Sequence, residues 1–475
     1  MILMTKLERK DGRKLLHAAQ RLFSSKSFVI PQSLGDIPAR LDFARELRLT
    51  ENRMVFLTDY GYENFRTVVD VLDQANFFDG MADFSDISTA WRRVVEMWLS
   101  DGFEPNFTDE VVQAIASLVA QEIDDFTFVV PLFGIELDGM DSFAVGVMTV
   151  LNMSVNVLDL AGVDHKHADV PHLLELNKNY LWLKGSAIGT ASVARQKFFE
   201  QASLTVGMLA ITAVSMYEWG IARDFRIGIV MSPEEAIGRS VWFSWHEKDR
   251  SLTTHYESSR EQRLPVNKAL GDESDMVRII NRAFAIIRAS DKTALEEAIA
   301  RAIYWYSDAH RDPVLVMKLI KFWSCVEAFF SFENEHITHA VSSGLASILV
   351  FGDFGFVPES EYNSLKQKIK NLYGLRSKAV HRGSHQHISE HDIAQFSQWV
   401  AWMIISMVAL VERGYTTLDE VKTQTDRLDC LKKGKVKKCD GWLHRLFSIS
   451  AHYCGYTLIL SPHELLLRRR NGSSR

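Results

Sequence analysis

The spacing of hydrophobic positions changes along the chain and divides it into regions of different character. Up to residue 124, apolar residues recur every three to four positions, as in amphipathic helices. Between 125 and 272 the pattern turns to short runs of β-branched and aromatic residues. From 273 to 414 the helical spacing returns in long segments. The sequence therefore predicts an α+β protein with a mainly helical N-terminal region, an α+β region, an all-α bundle, and an appendix over 415–475.

Helices and strands in the first two regions follow from this spacing and from the residues that end each run. Helices are predicted over Asp11–Phe23, Ala90–Leu99 and Asp109–Ile123. Thr108 precedes the third helix and is its expected N-cap. Two apolar runs, Phe126–Leu137 and Ser142–Leu151, flank Asp138-Gly139 and predict a β-hairpin. The remaining predictions are a helix from Thr190 towards Trp219 and strands over Phe225–Met231, Val241–Trp245 and Leu252–Tyr256.

The bundle is predicted from six segments with helical periodicity, separated by Asp, Asn, Pro and Gly signals. Ser389 is the expected cap of the sixth helix, with Asp392 three residues on. The six segments are Ser274–Ala289, Thr293–Ser307, Pro313–Phe332, His336–Phe351, Glu359–Val380 and Ile388–Arg413.

Two of the helical stretches are apolar enough to test as membrane spans. Phe396–Val411 and Leu204–Ile221 both contain polar residues and fall short of a clean apolar span of about 20 residues. We interpret them as buried core helices. The N-terminus shows no signal-peptide pattern, and four cysteines in 475 residues fit a reducing compartment. The predicted location is the cytoplasm, without a membrane partner.

Charge is spread unevenly along the chain. The net charge is −6, yet residues 421–475 carry 12 lysines and arginines against 4 acidic residues, which leaves −14 for the rest. Such asymmetry indicates an acidic body with a basic end that can meet a polyanion. The run KKGKVKK over Lys432–Lys438 is typical of a solvated basic loop that adds phosphate affinity.

Two clusters of potential metal ligands do not favour a metal site. One set of histidines lacks cysteines or paired acids at ligand spacing and is better explained as exposed loop residues. It consists of His381, His385, His387 and His391. The other set lacks the tight cysteine pairs of zinc knuckles. It consists of Cys430, Cys439, His444, His452 and Cys454. The sequence predicts neither a metal nor a cofactor.

The candidate chemistry lies in Asn371–Gly383, which reads NLYGLRSKAVHRG. Arg376 offers a permanent forked cation for a phosphate, and His381 is of the residue type that moves protons near neutral pH. At a helix end such residues are more often solvated surface or an ion pair, so the flanking sequence must decide. Positions five apart on a helix differ by about 140°. Without a bulge or the long reach of the arginine, the two side chains of one helix do not converge, whereas two copies of this stretch that face each other can bring them together.

Three segments of the helical region occur in a recognisable order. They are FWSCVEAFF at Phe322–Phe330, EHITHAVSSGLASIL at Glu335–Leu349, and LYGLRSKAVHRG at Leu372–Gly383. This order resembles the HEPN domain, and within it the ApeA-like branch found in bacterial defence and abortive-infection proteins. The resemblance covers about 290–415. That branch carries a glutamate in the first helix and a Tyr, Arg and His-Gly motif in the later one.

The resemblance implies metal-independent endoribonuclease activity by a homodimer or higher homo-oligomer, with a 2′,3′-cyclic phosphate product. Arg376 and His381 of two subunits would line one cleft. Ser377 fills a position where relatives more often have Asn, His or Asp, and Arg382 separates the histidine from Gly383. The supporting residues are Glu327, Tyr373 and Ser377, and the candidate RNA contacts are Lys378, Arg382, Lys432 and Lys433.

The resemblance also implies a biological role. The chain would cleave tRNA or mRNA to arrest an infected cell, with the α+β region sensing a trigger such as a phage component. Two alternatives remain open: a non-catalytic HEPN scaffold, and the toxin of a toxin–antitoxin pair. The modifiable tyrosine that follows the histidine in such toxins is missing, because Arg382, Gly383 and Ser384 stand there.

Overall fold

A computed structural model describes most of the chain between residues 7 and 432. The described ranges are 7–29, 45–50, 53–162, 169–217, 219–222, 225–230, 239–245, 252–258, 263–266, 275–331, 337–383 and 388–432. The chain divides into two compact units, residues 1–128 with 185–200 and residues 129–184 with 201–475. The first unit thus ends close to the predicted boundary at 124 but also takes in a later segment.

Helices dominate the described residues. They are α1 (Arg9–Leu22), α2 (Asp59–Gln74), α3 (Phe84–Asp101), α4 (Thr108–Glu122), α5 (Val155–Leu160), α6 (Asp169–Leu176), α7 (Ala191–Met216), α8 (Trp219–Ala222), α9 (Asp275–Arg288), α10 (Ala294–Arg311), α11 (Leu315–Phe330), α12 (Ile337–Phe351), α13 (Tyr362–Arg382), α14 (Glu390–Glu412) and α15 (Leu418–Lys432). The strands are β1 (Phe28–Val29), β2 (Glu46–Thr50), β3 (Arg53–Leu57), β4 (Asp124–Phe133), β5 (Ile135–Leu137), β6 (Ser142–Val145), β7 (Met148–Leu151), β8 (Leu181–Gly189), β9 (Gly228–Ile229), β10 (Arg239–Trp245), β11 (Leu252–Ser258) and β12 (Leu264–Val266).

The first unit is a four-helix layer with a small sheet. Helix α1 packs against α2 and α4, and α3 packs against α2 and α4, around a core that includes Trp91 and Phe65. The predicted helices are confirmed. Strands β1, β3 and β2 form an antiparallel sheet that the helical pattern did not predict, because its strands are short and carry charges. Thr108 is not the N-cap of α4: Phe107 holds that position, and the Thr108 hydroxyl donates to the Gly12 carbonyl.

Most residues of a five-stranded sheet, in the order β6-β7-β8-β4-β9, lie in the second unit. The predicted hairpin between Phe126–Leu137 and Ser142–Leu151 is wrong. The second run folds on itself as the β6–β7 hairpin, with Ser142 opposite Leu151 and Gly146 in the turn at φ 64°. The first run breaks at Gly134, where a Cβ would lie 1.8 Å from the Arg226 carbonyl oxygen. Its end, β5, pairs in parallel with β12.

The C-terminal part of this unit is helical, as predicted. Helices α10 and α11 pack closely, and α14 contacts α9, α10, α11 and α12. Tyr306, Phe322, Trp323 and Phe396 fill the space between α10, α11 and α14 and are almost fully buried. Ser389 caps α14 as expected, because its Oγ accepts a hydrogen bond from the backbone N–H of Asp392 at 3.1 Å. Helix α15 lies in the appendix over 415–475, where the sequence pattern predicts no helix.

Two of the helices that the structure describes have the length and hydropathy of a membrane span. They are Ala191–Met216 and Glu390–Glu412. In the structure, 67% and 83% of their most apolar windows are buried inside the protein. They are core helices, as the polar residues within them indicated.

Candidate functional site

Helix α13 carries both residues of the candidate pair. It begins after a single 3₁₀ turn at Glu359–Glu361 and ends at Gly383, which adopts the left-handed conformation at φ 61°. Its N–H closes the last turn on the Ala379 carbonyl. Glycine suits this position because other residues adopt a positive φ only at a cost. The helix is therefore continuous through Arg376 and His381.

Arg376 lies on the buried side of α13 and is tied to α11. Its Nη2 donates to Glu327 Oε2 at 3.0 Å, and both side chains are about one-fifth exposed. The Tyr373 hydroxyl donates to the other Glu327 oxygen at 3.3 Å. The guanidinium carbon lies 5.6 Å from the centre of the Tyr373 ring, which packs against the Trp323 ring in a T-shaped arrangement. Glu327 of α11 thus holds Arg376 and Tyr373 of α13 in one cluster, which links the two helices.

The environment of Tyr373 keeps its hydroxyl protonated. Burial raises the pKa of Tyr373, and the charge of Glu327 raises this pKa further. A protonated phenol is a donor, which fits the hydrogen bond to Glu327. Arg376 Nε is buried and has no hydrogen-bond partner within the described residues.

His381 lies in the last turn of α13, exposed to solvent. Within the described part of the chain its side chain makes no hydrogen bond or ion pair. Its neighbours Lys378, Val380 and Arg382 are also exposed. On a straight helix, five residues correspond to a rise of about 7.5 Å and a rotation of about 140°. One chain therefore turns Arg376 towards α11 and His381 towards solvent, and the two side chains do not converge.

A groove of about 740 Å³ lies beside this cluster. It runs between the first turns of α12, one side of α13, and Asp429 of α15. The α13 residues in it are Asn363, Lys366, Gln367, Lys370, Tyr373 and Ser377. Tyr373 and Ser377 thus connect the groove with the sequence-predicted site.

Asp429 lines the groove and is bound by side chains of α13. Its side chain is 4% exposed, and Oδ1 accepts from Lys366 Nζ at 2.5 Å and from the Tyr362 hydroxyl at 2.9 Å. His339 Nε2 lies 3.7 Å from Oδ2. Burial raises the pKa of Tyr362, and its hydrogen bond to Asp429 raises this pKa further. The sequence did not reveal this network, because Asp429 lies in the basic appendix, 63 positions from Lys366.

Ser343, His339 and Asp429 have the residue types of a hydrolase triad, but not its geometry. The Ser343 Oγ lies 3.4 Å from His339 Nδ1, and His339 Nε2 is 3.7 Å from the carboxylate. Ser343 is only 1% exposed. A nucleophile must reach its substrate, so these three residues do not act as a hydrolase triad. His339 instead connects α12 with Asp429 of α15.

No group of three or more potential metal ligands occurs among the residues that the structure describes. Of the two predicted clusters, His381, His391 and Cys430 fall within those residues. Lys432 is the last residue of α15. The other candidates, His385, His387, Lys433, Cys439, His444, His452 and Cys454, lie outside the described residues.

Comparisons of the chain with protein-family models, with curated proteins and with solved structures find no match.

Proposed function

We propose that this protein is a metal-independent endoribonuclease of the HEPN type, with a composite active site between two copies of the chain. The supporting observation is the arrangement of α13. Glu327 and Tyr373 hold Arg376 on the buried face, and His381 is exposed one and a half turns further on. A second copy that faces this helix end supplies the convergence that one chain lacks.

The chemistry follows from these residue types. The RNA 2′-oxygen attacks phosphorus, and its proton passes to the neutral imidazole of one His381. The bond from phosphorus to the 5′-oxygen breaks, and a protonated His381 of the second copy donates a proton to the leaving oxygen. Arg376 stabilises the charge that develops on the phosphate oxygens. The products are a 2′,3′-cyclic phosphate and a 5′-hydroxyl, so the substrate must carry a 2′-hydroxyl, as RNA does.

The proposed role is that of a cytoplasmic abortive-infection effector acting on tRNA or mRNA. It rests on the resemblance of three ordered segments, at Phe322–Phe330, Glu335–Leu349 and Leu372–Gly383, to the ApeA-like branch. The α+β region over 125–272 would then sense the trigger, such as a phage component.

A second candidate is a non-catalytic HEPN scaffold, and the Arg376–Glu327 contact favours it. An arginine and a glutamate that pair between two helices at 3.0 Å are also what a purely structural role would produce. Under this alternative, His381 is simply a solvated residue at a helix end.

Incubation of the purified protein with total RNA and a chelator separates the two candidates. We expect cleavage with 2′,3′-cyclic phosphate ends, and its loss in Arg376→Ala and His381→Ala. Lys368→Ala is the matched control, because Lys368 is an exposed residue of the same helix that lies away from both side chains. A strict metal requirement, or cleavage that persists in both variants, would contradict the proposed mechanism.

A further inference from the structure

One side of α13 carries a stripe of polar side chains that follow each other towards His381, with Gly374 between Lys370 and Ser377. Asn363, Gln367, Lys370 and Ser377 line the groove described above. On an ideal helix each of these positions lies within about 40° of the direction of His381. The groove therefore runs along the helix face that ends at His381, whereas Arg376 points about 140° away.

Several polar groups on this stripe are not used by the fold. The ammonium group of Lys370 is exposed and makes no hydrogen bond or ion pair within the described residues. The side chains of Asn363 and Ser377 also make no hydrogen bond in that part of the chain. By contrast, Lys366 is bound to the buried Asp429 at 2.5 Å. Lys370 is thus the groove cation that is available for an anion.

We propose that the groove binds the segment of single-stranded RNA next to the cleaved phosphate and leads it to His381 of the same chain. Lys370 contacts a backbone phosphate, and Asn363 and Ser377 form hydrogen bonds with sugars or base edges. This inference rests on the proposed ribonuclease function and adds a substrate-guiding surface to it. Positive side chains that track a backbone are the usual means of holding a single strand.

The length of the stripe favours a strand over a free nucleotide. Lys370 and His381 are eleven residues apart, which is about 16 Å along the helix. A mononucleotide cannot contact both ends, whereas a strand can. Because Arg376 faces away from the groove, the arginine that meets this phosphate comes from the partner copy.

Binding of a fluorescent, unstructured 12-nucleotide RNA, measured by anisotropy in the His381→Ala background, tests the groove without cleavage. We expect Lys370→Glu to raise the Kd at least about tenfold. Lys370→Gln should lower the slope of log affinity against log salt by about 0.7, the value for one lost phosphate contact on a single strand. Lys368→Glu and Lys368→Gln are the matched controls, because Lys368 is equally exposed on the opposite side of α13.

The outcomes distinguish a failure of the proposed RNA-binding groove from a failure of the proposed ribonuclease activity. Equal effects of the Lys370 and Lys368 variants, or no effect of either, overturn the groove even when the wild-type protein cleaves RNA. Conversely, a selective loss of binding in Lys370→Glu supports the groove even when the wild type fails to cleave. Displacement of the RNA by an equal concentration of a nucleoside monophosphate overturns the strand interpretation. Thermal unfolding confirms that each variant is folded.

Discussion

The two faces of α13 differ in the exposure of their side chains and in the partners that those side chains contact. On the inner face, Arg376 and Tyr373 are held by one glutamate of α11, with hydrogen bonds of 3.0 and 3.3 Å. On the outer face, Lys370 and His381 are exposed and unpaired within the described residues. One face is positioned by the folding of the chain, whereas the other remains available to a ligand or a second copy.

This difference shows that two residues of suitable chemistry on one helix do not by themselves form a catalytic site. Packing positions Arg376 before any substrate arrives, which is what a charge-stabilising group requires. The same packing turns it away from His381, so proximity in sequence does not give proximity in space. A proton carrier and an anchored cation from one helix can meet only across an interface between two copies of the chain.

The largest expected effect is loss of cleavage in His381→Ala. Removal of a proton-transfer group lowers the rate by about 10²- to 10⁴-fold. Because His381 is exposed and unpaired within the described residues, the melting temperature should not change. Arg376→Ala should lose cleavage and also lose stability, since Glu327 keeps only its bond to Tyr373. Cleavage assays and thermal unfolding on the same samples give both quantities.

Mixed dimers of the two variants sharpen this result. A dimer with one Arg376→Ala chain and one His381→Ala chain retains one arginine and one histidine on different copies. Because the proposed step uses the His381 of both copies, we expect co-purified mixed dimers to regain part of the cleavage, with water in place of the missing histidine. Inactive mixed dimers that are shown to be dimeric by light scattering would count against a shared cleft.

Asp429→Ala should cause the largest loss of stability on the groove side. The substitution leaves Lys366 without its 2.5 Å partner and removes the acceptor of the Tyr362 hydroxyl. Breaking a buried ion pair costs about 3 kcal/mol of unfolding free energy. Urea denaturation measures this loss.

Asp426→Ala is the control for that experiment. Asp426 lies on the same helix, pairs with Lys422 four residues away, and is 49% exposed. Exposed pairs contribute about 0.5 kcal/mol. Equal losses in the two variants would show that Asp429 has no special role in attaching α15.

Glu327→Ala should cost less than Asp429→Ala, about 1–3 kcal/mol, because it removes two hydrogen bonds of a carboxylate that is itself about one-fifth exposed. The variant should also lower the pKa of Tyr373, since the charge of Glu327 raises it. Urea denaturation and spectroscopic titration of tyrosine report the two changes. An unchanged stability would mean that Arg376 is not held by this contact.

The sequence predicted the helices of the bundle to within a few residues, because their apolar spacing is long and regular. The family resemblance places Glu327, Tyr373 and Arg376 in one candidate site, and these three side chains are in contact. The sequence did not predict the Asp429 network, because a single buried aspartate among basic residues carries no periodic signal. The hairpin prediction failed because strand pairing depends on contacts distant in sequence, here Gly134 against Arg226.

The smallest effect concerns a second histidine, which contrasts with His381. His310 is buried, and its Nε2 accepts the backbone N–H of Ile227 at 3.2 Å. Burial lowers the pKa of His310 to about 3, and the nearby charges of Lys318, Arg226 and Arg311 act in the same direction. The folded protein therefore keeps this imidazole neutral and uses it as an acceptor.

The consequence is a pH dependence of stability that belongs to the fold and not to the cleavage site. The unfolded chain takes up a proton at His310 near pH 6.5, whereas the folded protein does not do so until about pH 3. The contribution to stability is complete above pH 6.5 and falls as the pH drops below it, by about 1.4 kcal/mol per pH unit.

Urea denaturation at pH 7.5 and at pH 5.5 tests this effect. Between the two pH values His310→Gln should lose less unfolding free energy than the wild type, because its amide oxygen can accept the same hydrogen bond without titrating. His381→Ala should show the wild-type difference, since its side chain is exposed in the folded protein. If the pH effect on stability were smaller in His381→Ala and unchanged in His310→Gln, the roles assigned to the two histidines would be reversed.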